Sequence, residues 1–514
     1  MALPTPPLNE RLASRAGGDR FGTWFDRWWR PVWGLLLAAI AIGAAGKAAE
    51  RLLWHDELFT LYGASFTSSE LWQALASGYD LQPPLGYLLT GLSVSAFGDG
   101  LVAARLPSLA GFLLGSLALA LFVRREAGTV AGTIALLVPS VTAAYDYAYE
   151  ARPYGVVFGA AGLVILAWQR SVPGRWRTPA TVAVALALAA AVSLHYYAAL
   201  LVLPLAAAEA TRSTSTGRWQ PGVWVAIAAG LSPLLAYLPL MSAASAYGDR
   251  FWTQASLAQL PYTYRYFLLP VVLPFACFLL AYAVGSLVRG GASAPGDPRR
   301  PAASLVLSIA LLLLPFAGVA AGFVVGGYRH RYVIEMVLGL GSVIAIALAP
   351  SALASRVLMA VLSVWLVGRG FAHAAPLLAP PPELLARHPM LRFALAEPEI
   401  PIVVINDALY TQLNHYGTPD LTRRLMIVMP PADPVVGRFQ NSSERAMRAL
   451  ARWRSVSLAE YDELRARSTP YYIYGDKHWL LVQIRHDGAR AEMLGEGYGH
   501  TLLRVTPRAE AEVR

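Results

Sequence analysis

Residues 32–59 read VWGLLLAAIAIGAAGKAAERLLWHDELF, a stretch that joins a long apolar run to a pair of acids. Its first part, from Val32 to about Ala49, is an apolar run long enough to cross a lipid bilayer. Two adjacent acids, Asp56 and Glu57, follow directly after it. An ionised carboxylate at the edge of a membrane is unfavourable unless it has a partner or a task. The pair therefore marks a candidate functional site.

The composition of the whole chain indicates a membrane protein. Of its 514 residues, 56% are hydrophobic and only 14% are charged, and the mean hydropathy is +0.45. Apolar runs of spanning length recur, so we predict a polytopic α-helical membrane protein with about 11 spans plus juxtamembrane helices. The predicted spans cover about 33–49, 102–122, 129–143, 154–168, 179–194, 197–211, 221–240, 266–288, 303–325, 333–349 and 356–372.

The net charge of +10 comes mainly from arginines in short loops between the apolar runs. This bias follows the positive-inside rule, so topology explains the charge and we expect no nucleic acid partner. With a cytoplasmic N-terminus, alternating loops place residues 56–57, 146–152 and 329–331 together on the external side. Residues 83–97 are apolar but short for a span, and we predict a juxtamembrane helix in a first external loop of about 50–101.

The composition changes after residue 372. Residues 397–514 have ordinary polar content, and apolar strands alternate with helical segments, which predicts a small α/β domain with a largely parallel sheet. The predicted strands are Pro401–Ile405, Leu425–Met429, Tyr471–Tyr474 and His500–Val505. The predicted parts are a cytoplasmic segment 1–31, a transmembrane module 32–372, a linker 373–396 and an external domain 397–514.

Five motifs occur in order within residues 30–350. They are WHDELFT at 54–60, QPPLGYLL at 82–89 followed by FGDGLVAARLPSLAG at 97–111, YEARPYGV at 149–156, HYYAALLVLPL at 195–205 and RHRYVI at 329–334. Together they resemble the GT-C fold glycosyltransferases that depend on polyprenyl-phosphate sugars. This broad family (family 39/83) includes the protein O-mannosyltransferases and the aminoarabinose transferase of lipid A.

The resemblance implies an inverting, single-displacement transfer of one sugar. The expected location is the external face of the bacterial inner membrane. The donor would be a polyprenyl-phosphate-linked sugar, and the acceptor a lipid, a glycan or a protein. Two rival functions remain open. A transporter or flippase of lipid-linked sugars would show inverted internal repeats, which the sequence lacks. An oligosaccharide ligase of the same architecture would use a lipid-diphosphate donor.

The acids receive their roles from the resemblance. Asp56 is the predicted general base, taking the proton from the acceptor as it attacks the anomeric carbon. Its alternative role is to cap a juxtamembrane helix whose first turn also holds Glu57. Glu57 is a second catalytic candidate in support of Asp56, and Asp146 stands where the family carries a second external acid. Asp56 and Asp146 are also candidate ligands for Mg²⁺ or Mn²⁺, which prefer oxygen ligands.

The predicted substrate-binding residues lie in the later motifs. Arg329, His330 and Arg331 are candidates to hold the donor phosphate, because guanidinium groups bind phosphate through paired hydrogen bonds and stabilise charge on the leaving group. Their alternative role is to extend toward lipid headgroups. His195 and Tyr196 line the donor site or belong to an aromatic belt at the membrane interface.

Three further candidates belong to the earlier motifs. Glu150 and Arg152 are candidate substrate ligands, and the alternative is an ion pair between them that fixes their loop. Gln82 departs from the family pattern, which often has His or Lys before Pro-Pro-Leu. Gln82 can donate hydrogen bonds to a phosphate but carries no charge.

Overall fold

The computed structural model describes residues 20–175, 177–245, 253–272, 302–349, 352–431, 442–476 and 479–507. These residues form a helical bundle followed by an α/β domain. The predicted span 266–288 lies mostly outside the described residues. The main helices are Arg20–Ala49, His55–Ala64, Ser68–Ala76, Leu85–Phe97, Leu106–Val141, Tyr154–Arg170, Arg177–Leu194, Val202–Thr216, Pro221–Gly230, Pro233–Ala236, Leu238–Ser245, 259–272, Ala302–Leu312, Leu314–Val325, Met336–Leu348 and Ala352–Ala372. Short 3₁₀ turns connect several of them, at Ala103–Arg105, Ala143–Tyr149, Tyr196–Leu201 and His330–Val333.

The first helix begins at Arg20, within the segment predicted to precede the membrane module. Aromatic residues at 21, 25, 29 and 33 recur every four positions and so share one face of the helix. Phe25 and Trp33 are buried, and the Trp33 indole donates a hydrogen bond to the Thr133 hydroxyl at 2.8 Å. The helix therefore starts earlier than its apolar run because this aromatic face packs against the bundle.

Residues 106–141 form two helices that pack against each other. Gly128 separates them with φ 86° and ψ 175°, a conformation that glycine adopts readily. A Cβ atom on Gly132 would lie 2.9 Å from the Ala120 carbonyl oxygen, although in an unbroken helix these residues stand about 18 Å apart. The chain therefore reverses at Gly128, between the predicted spans 102–122 and 129–143.

The apolar helices are those of an integral membrane protein. Among the described residues, four helices are long and apolar enough to cross a membrane, or up to seven if each bent pair is one span. The reversal at Gly128 divides one of these, residues 103–141, into two. The predicted total of about 11 spans stays a prediction. Helix Leu85–Phe97 has 13 residues and is about 20 Å long, shorter than the roughly 30 Å hydrocarbon layer.

The α/β domain contains the sheet that the sequence predicted. Its strands are β1 (Ile402–Val404), β2 (Leu425–Met429), β3 (Leu458–Glu460), β4 (Tyr471–Gly475), β5 (Arg490–Gly497) and β6 (His500–Thr506). They lie in the order β3-β2-β1-β4-β6-β5, with the first four parallel and β6 and β5 antiparallel. The sequence prediction missed β3, which is only three residues long, and β5, which has no fully buried residue and lacks an apolar pattern.

The predicted linker is part of the folded domain. It forms the short helices Leu384–Arg387 and Leu391–Leu395, whose Leu384 and Leu391 are buried. These side chains belong to one hydrophobic core with Ile402 of β1 and with Phe59 of the first loop. The α/β domain is therefore packed directly against the loop that carries Asp56.

Candidate active site

The acids of the first loop lie in the first turn of helix His55–Ala64. Consecutive side chains of an α-helix project about 100° apart, so His55, Asp56 and Glu57 point in three different directions. His55 contacts the α/β domain, Asp56 contacts Arg331, and Glu57 points into the bundle. Only one of the two adjacent acids therefore faces Arg331.

Glu57 is fully buried in an ion pair with Arg105. The guanidinium donates through Nε and Nη2 to the two carboxylate oxygens, at 2.6 Å each. The main-chain N–H groups of Ala151 and Trp54 also donate to this carboxylate, at 2.7 and 3.2 Å. Arg105 in turn donates to the carbonyl oxygens of Ala48, Arg51 and Leu52. Because both oxygens of Glu57 are already bonded, the geometry does not favour the predicted catalytic role and gives Glu57 a structural one.

Asp56 meets Arg331 across 275 residues of sequence. The Arg331 Nη2 group donates to Asp56 Oδ2 at 3.2 Å, and both side chains keep some exposure, 15% for Arg331 and 23% for Asp56. The guanidinium carbon of Arg331 also lies 5.4 Å from the ring centre of Tyr154, a cation–π distance. The arrangement places a partly accessible carboxylate beside a partly accessible cation.

Arg152 forms its ion pair with Asp80 and not with Glu150, which was the alternative to substrate binding for these two residues. Its Nη1 group donates to Asp80 Oδ2 at 2.7 Å and to the Asp56 carbonyl oxygen at 3.2 Å. Burial disfavours the charge on Asp80, but the guanidinium and its hydrogen bonds outweigh burial and hold the pKa of Asp80 below its ordinary value. Asp80 was not among the predicted site residues, although it lies only two residues before Gln82 of the QPPLGYLL motif.

Glu150 is a buried carboxyl close to the Asp56–Arg331 pair. It lies in the loop before helix Tyr154–Arg170 and is only 9% exposed. Burial raises the pKa of Glu150 to about 7, although the charge of Arg331 opposes the shift. The carboxyl is therefore able to hold a proton near neutral pH.

Five buried polar atoms of the motif residues have no hydrogen-bond partner within the described part of the chain. They are Gln82 Oε1, Glu150 Oε1, Arg152 Nε, Tyr154 OH and His330 Nδ1. Buried polar groups are usually bonded, and exceptions often serve a ligand or a catalytic role. All five atoms belong to motifs from which the sequence predicted the site.

His330 is held among tyrosines next to Arg331. Its Nε2 atom lies 3.1 Å from the Tyr147 hydroxyl, and its ring centre is 3.9 Å from that of Tyr266. Burial, reinforced by the charges of Arg331 and Arg329, lowers the pKa of His330 to about 3. The imidazole is therefore neutral at physiological pH and contributes hydrogen bonds, not charge, to any phosphate contact.

His195 lies in a similar aromatic setting. Its ring centre is 4.8 Å from that of Tyr332 and 5.5 Å from that of Tyr154, and its Nδ1 atom accepts the Tyr197 N–H at 3.2 Å. Burial, together with the charges of Arg152 and Arg331, lowers the pKa of His195 to about 3. This neutral ring forms part of an aromatic wall beside Arg331.

The predicted site residues Tyr196, Arg329 and Asp146 each have surroundings of their own. The Tyr196 ring packs against Tyr237 at 6.4 Å, and Arg329 directly precedes the turn His330–Val333. Asp146 accepts a hydrogen bond from the Tyr149 hydroxyl. Across the described ranges, no group of three His, Cys, Asp or Glu side chains is placed to hold a metal ion. The predicted cation ligands, Asp56 and Asp146, therefore belong to no such group among these residues.

No protein-family model and no curated protein sequence matches the chain. Two crystal structures of ArnT from Cupriavidus metallidurans do match it, one in the apo state and one bound to undecaprenyl phosphate. The apo structure has a TM-score of 0.56 at 15% identity, and the bound structure 0.54 at 16%. Each comparison covers 92% of this chain and 98% of ArnT. The chain therefore has the fold of ArnT, a GT-C protein, which confirms the resemblance of the motifs at the level of the fold.

Proposed function

We propose that this protein is a GT-C glycosyltransferase that moves a single sugar from a polyprenyl-phosphate carrier to an acceptor, with Asp56 as the general base. One observation carries the proposal. Asp56 and Arg331 lie 3.2 Å apart and partly accessible, within a fold whose relative ArnT has been solved bound to undecaprenyl phosphate. A base for the acceptor and a cation for the leaving phosphate are the two groups that the reaction needs at one place.

The transfer then follows from these two side chains. Asp56 takes the proton from the acceptor hydroxyl or amine as that group forms a bond to the anomeric carbon. On the opposite face of the sugar, the bond from the anomeric carbon to the phosphate oxygen breaks, so the configuration inverts. Charge grows on the departing phosphate, and Arg331 stabilises it. Because the base and the leaving phosphate stand on opposite faces of the sugar, Arg331 releases Asp56 when the donor binds and turns its N–H donors to the phosphate.

The surrounding residues suit a sugar bound beside this pair. The rings of Tyr154, Tyr332 and His195 offer flat faces, and the unbonded polar atoms of Gln82 and Glu150 suit sugar hydroxyls. Gln82 is neutral, and His195 is uncharged. The positive charge for the phosphate in this mechanism therefore comes from arginine.

The predicted divalent cation finds little support in this donor set. Asp56 is paired with Arg331, whose charge repels a cation, and Asp146 binds the Tyr149 hydroxyl. No step of the proposed mechanism depends on a metal ion. A test with EDTA, followed by Mg²⁺ or Mn²⁺, measures whether transfer requires one.

The location and the acceptor belong to the same proposal. We place the reaction on the external face of the bacterial inner membrane, with the α/β domain also external. The acceptor is a lipid, a glycan or a protein. The fold shared with ArnT favours this enzyme over the transporter or flippase, and the donor's phosphate count separates it from the oligosaccharide ligase.

The experiment combines binding with transfer. Purified full-length protein in lipid nanodiscs is titrated with undecaprenyl phosphate, with undecaprenol and with undecaprenyl diphosphate, and binding is followed by native mass spectrometry. We expect the monophosphate to bind best; preference for the diphosphate would favour the ligase. In cells, deletion should remove a sugar from an envelope glycolipid, glycan or protein. The wild-type chain should restore it and Asp56→Asn should not. Restoration by Asp56→Asn would exclude Asp56 as the base.

A further inference from the structure

We propose that the α/β domain contributes to catalysis by positioning the general base. Its residues Asp407 and Thr411 hold His55, and His55 in turn positions the neighbouring Asp56 against Arg331. The inference rests on the proposed function of Asp56 as the base. Asp407 and Thr411 are positioning residues in this scheme, since they act on Asp56 only through His55.

Both ring nitrogens of His55 bind the α/β domain. The Nε2 atom lies 3.3 Å from Asp407 Oδ2, and the Nδ1 atom lies 3.1 Å from Thr411 Oγ1. The Thr411 hydroxyl also donates to the Asp407 carbonyl oxygen at 2.9 Å, which holds the hydroxyl in place beside the His55 ring. Both ring nitrogens of His55 and the Thr411 hydroxyl therefore have partners in this contact.

The contact belongs to a continuous seam between two helices. Residues 407, 411 and 415 recur every four positions, so they share one face of helix Asp407–Tyr416. At the far end of the seam, His415 Nδ1 lies 3.2 Å from the Tyr62 hydroxyl. Tyr62 follows His55 by about two turns, so both lie on the same face of helix His55–Ala64. The seam therefore runs along the whole helix that carries Asp56.

The same helix of the α/β domain also holds the segment that leads into Asp56. The Tyr416 hydroxyl accepts a hydrogen bond from the Leu53 N–H at 2.9 Å, and the Gln412 amide donates to the Leu53 carbonyl oxygen at 3.1 Å. Both main-chain groups of Leu53 are thus bonded to the domain. These contacts fix the point at which helix His55–Ala64 begins, and the seam fixes the face that it turns to the domain.

Asp56 lies between two anchors on different sides of its helix. Glu57 anchors one side to the bundle through Arg105, and His55 anchors another side to the α/β domain. A side-chain tip stands about 5 Å from a helix axis, so a rotation of about 20° moves it by roughly 2 Å. Misplacement by about 1 Å can slow an enzyme roughly 100-fold. Loss of the His55 anchor should therefore reduce the rate of transfer while donor binding at Arg331 persists.

The test uses substitutions in the domain, away from the substrate groups. Thr411→Val removes the hydroxyl and keeps the shape, Thr411→Ser restores the hydroxyl, and Asp407→Asn removes the charge. The matched control is Glu460→Gln, which breaks the exposed Arg448–Glu460 ion pair (2.7 Å) in the same domain. Each full-length variant is assayed in nanodiscs for kcat and KM, and for hydrogen exchange of the amides of residues 53–64.

We expect Thr411→Val and Asp407→Asn to lower kcat about 10- to 100-fold, with the donor KM within about 2-fold of wild type. Thr411→Ser should recover most of the rate, and Glu460→Gln should match wild type. Hydrogen exchange of the amides of residues 53–64 should be faster in Thr411→Val and Asp407→Asn only. Unchanged kcat in both variants, or equal losses in the control, would overturn the inference. If wild-type protein transfers no sugar, the proposed function fails, and the exchange data still decide whether the domain anchors this helix.

Discussion

The two adjacent acids of the first loop should respond oppositely to the same chemical change. Glu57→Gln and Asp56→Asn each replace a carboxylate by its amide at constant size. Glu57 and its partner Arg105 are 0% and 1% exposed, so the substitution leaves a buried guanidinium without its counter-charge. Removing one partner of a buried ion pair costs about 3–5 kcal/mol. Glu57→Gln should therefore destabilise the protein strongly.

Asp56→Asn should leave stability nearly intact and remove activity. The Asp56–Arg331 pair keeps some solvent contact and makes one hydrogen bond at 3.2 Å, against two at 2.6 Å in the Glu57–Arg105 pair, so its loss should cost much less stability. A positioned general base accelerates its reaction about 10²- to 10⁴-fold, so transfer should fall by that factor. The two variants thus separate a structural acid from a chemical one.

The assay measures both properties on the same preparations. Stability is the temperature at which half of the detergent-solubilised protein leaves the monodisperse size-exclusion peak. Transfer is the initial rate per folded protein, followed by mass spectrometry of the glycosylated product. A Glu57→Gln protein that is as stable as wild type but inactive would refute the structural assignment. An Asp56→Asn protein with near-normal turnover would refute the catalytic one.

Two further predictions address the groups around this pair. Arg331→Gln removes a charged donor from the site, so affinity for undecaprenyl phosphate should fall roughly 10- to 150-fold, equivalent to about 1.5–3 kcal/mol. Affinity for undecaprenol should not change. A variant that binds undecaprenyl phosphate as tightly as wild type would contradict the phosphate contact of Arg331. Burial raises the pKa of Glu150 to about 7, so between about pH 5 and 7 the folded protein keeps a proton that the unfolded chain, with its ordinary pKa of 4.5, has lost. The free energy of unfolding should therefore decrease as pH rises from about 5 to 7, by up to about 1.4 kcal/mol per pH unit. Glu150→Gln should flatten this dependence, measured as unfolding temperatures at pH 5 and pH 8, and an unchanged slope would count against the raised pKa.

The sequence by itself determined the class of the fold and the region of the site. Apolar runs of spanning length and a C-terminal alternation of strands and helices are local patterns, so they predicted a helical membrane module followed by an α/β domain. The order of short motifs indicated the GT-C fold. These properties can be read locally because hydrophobic length and periodicity are encoded within each segment.

Only the tertiary structure decided what each charged residue does. Adjacent acids look equivalent in sequence, but the 100° step of the helix turns Asp56 toward Arg331 and buries Glu57 against Arg105. The contact of Asp56 with Arg331 spans 275 residues, and that of His55 with the α/β domain spans 356. Such partners meet only through the packing of distant helices, and a local pattern carries no record of which surfaces will touch.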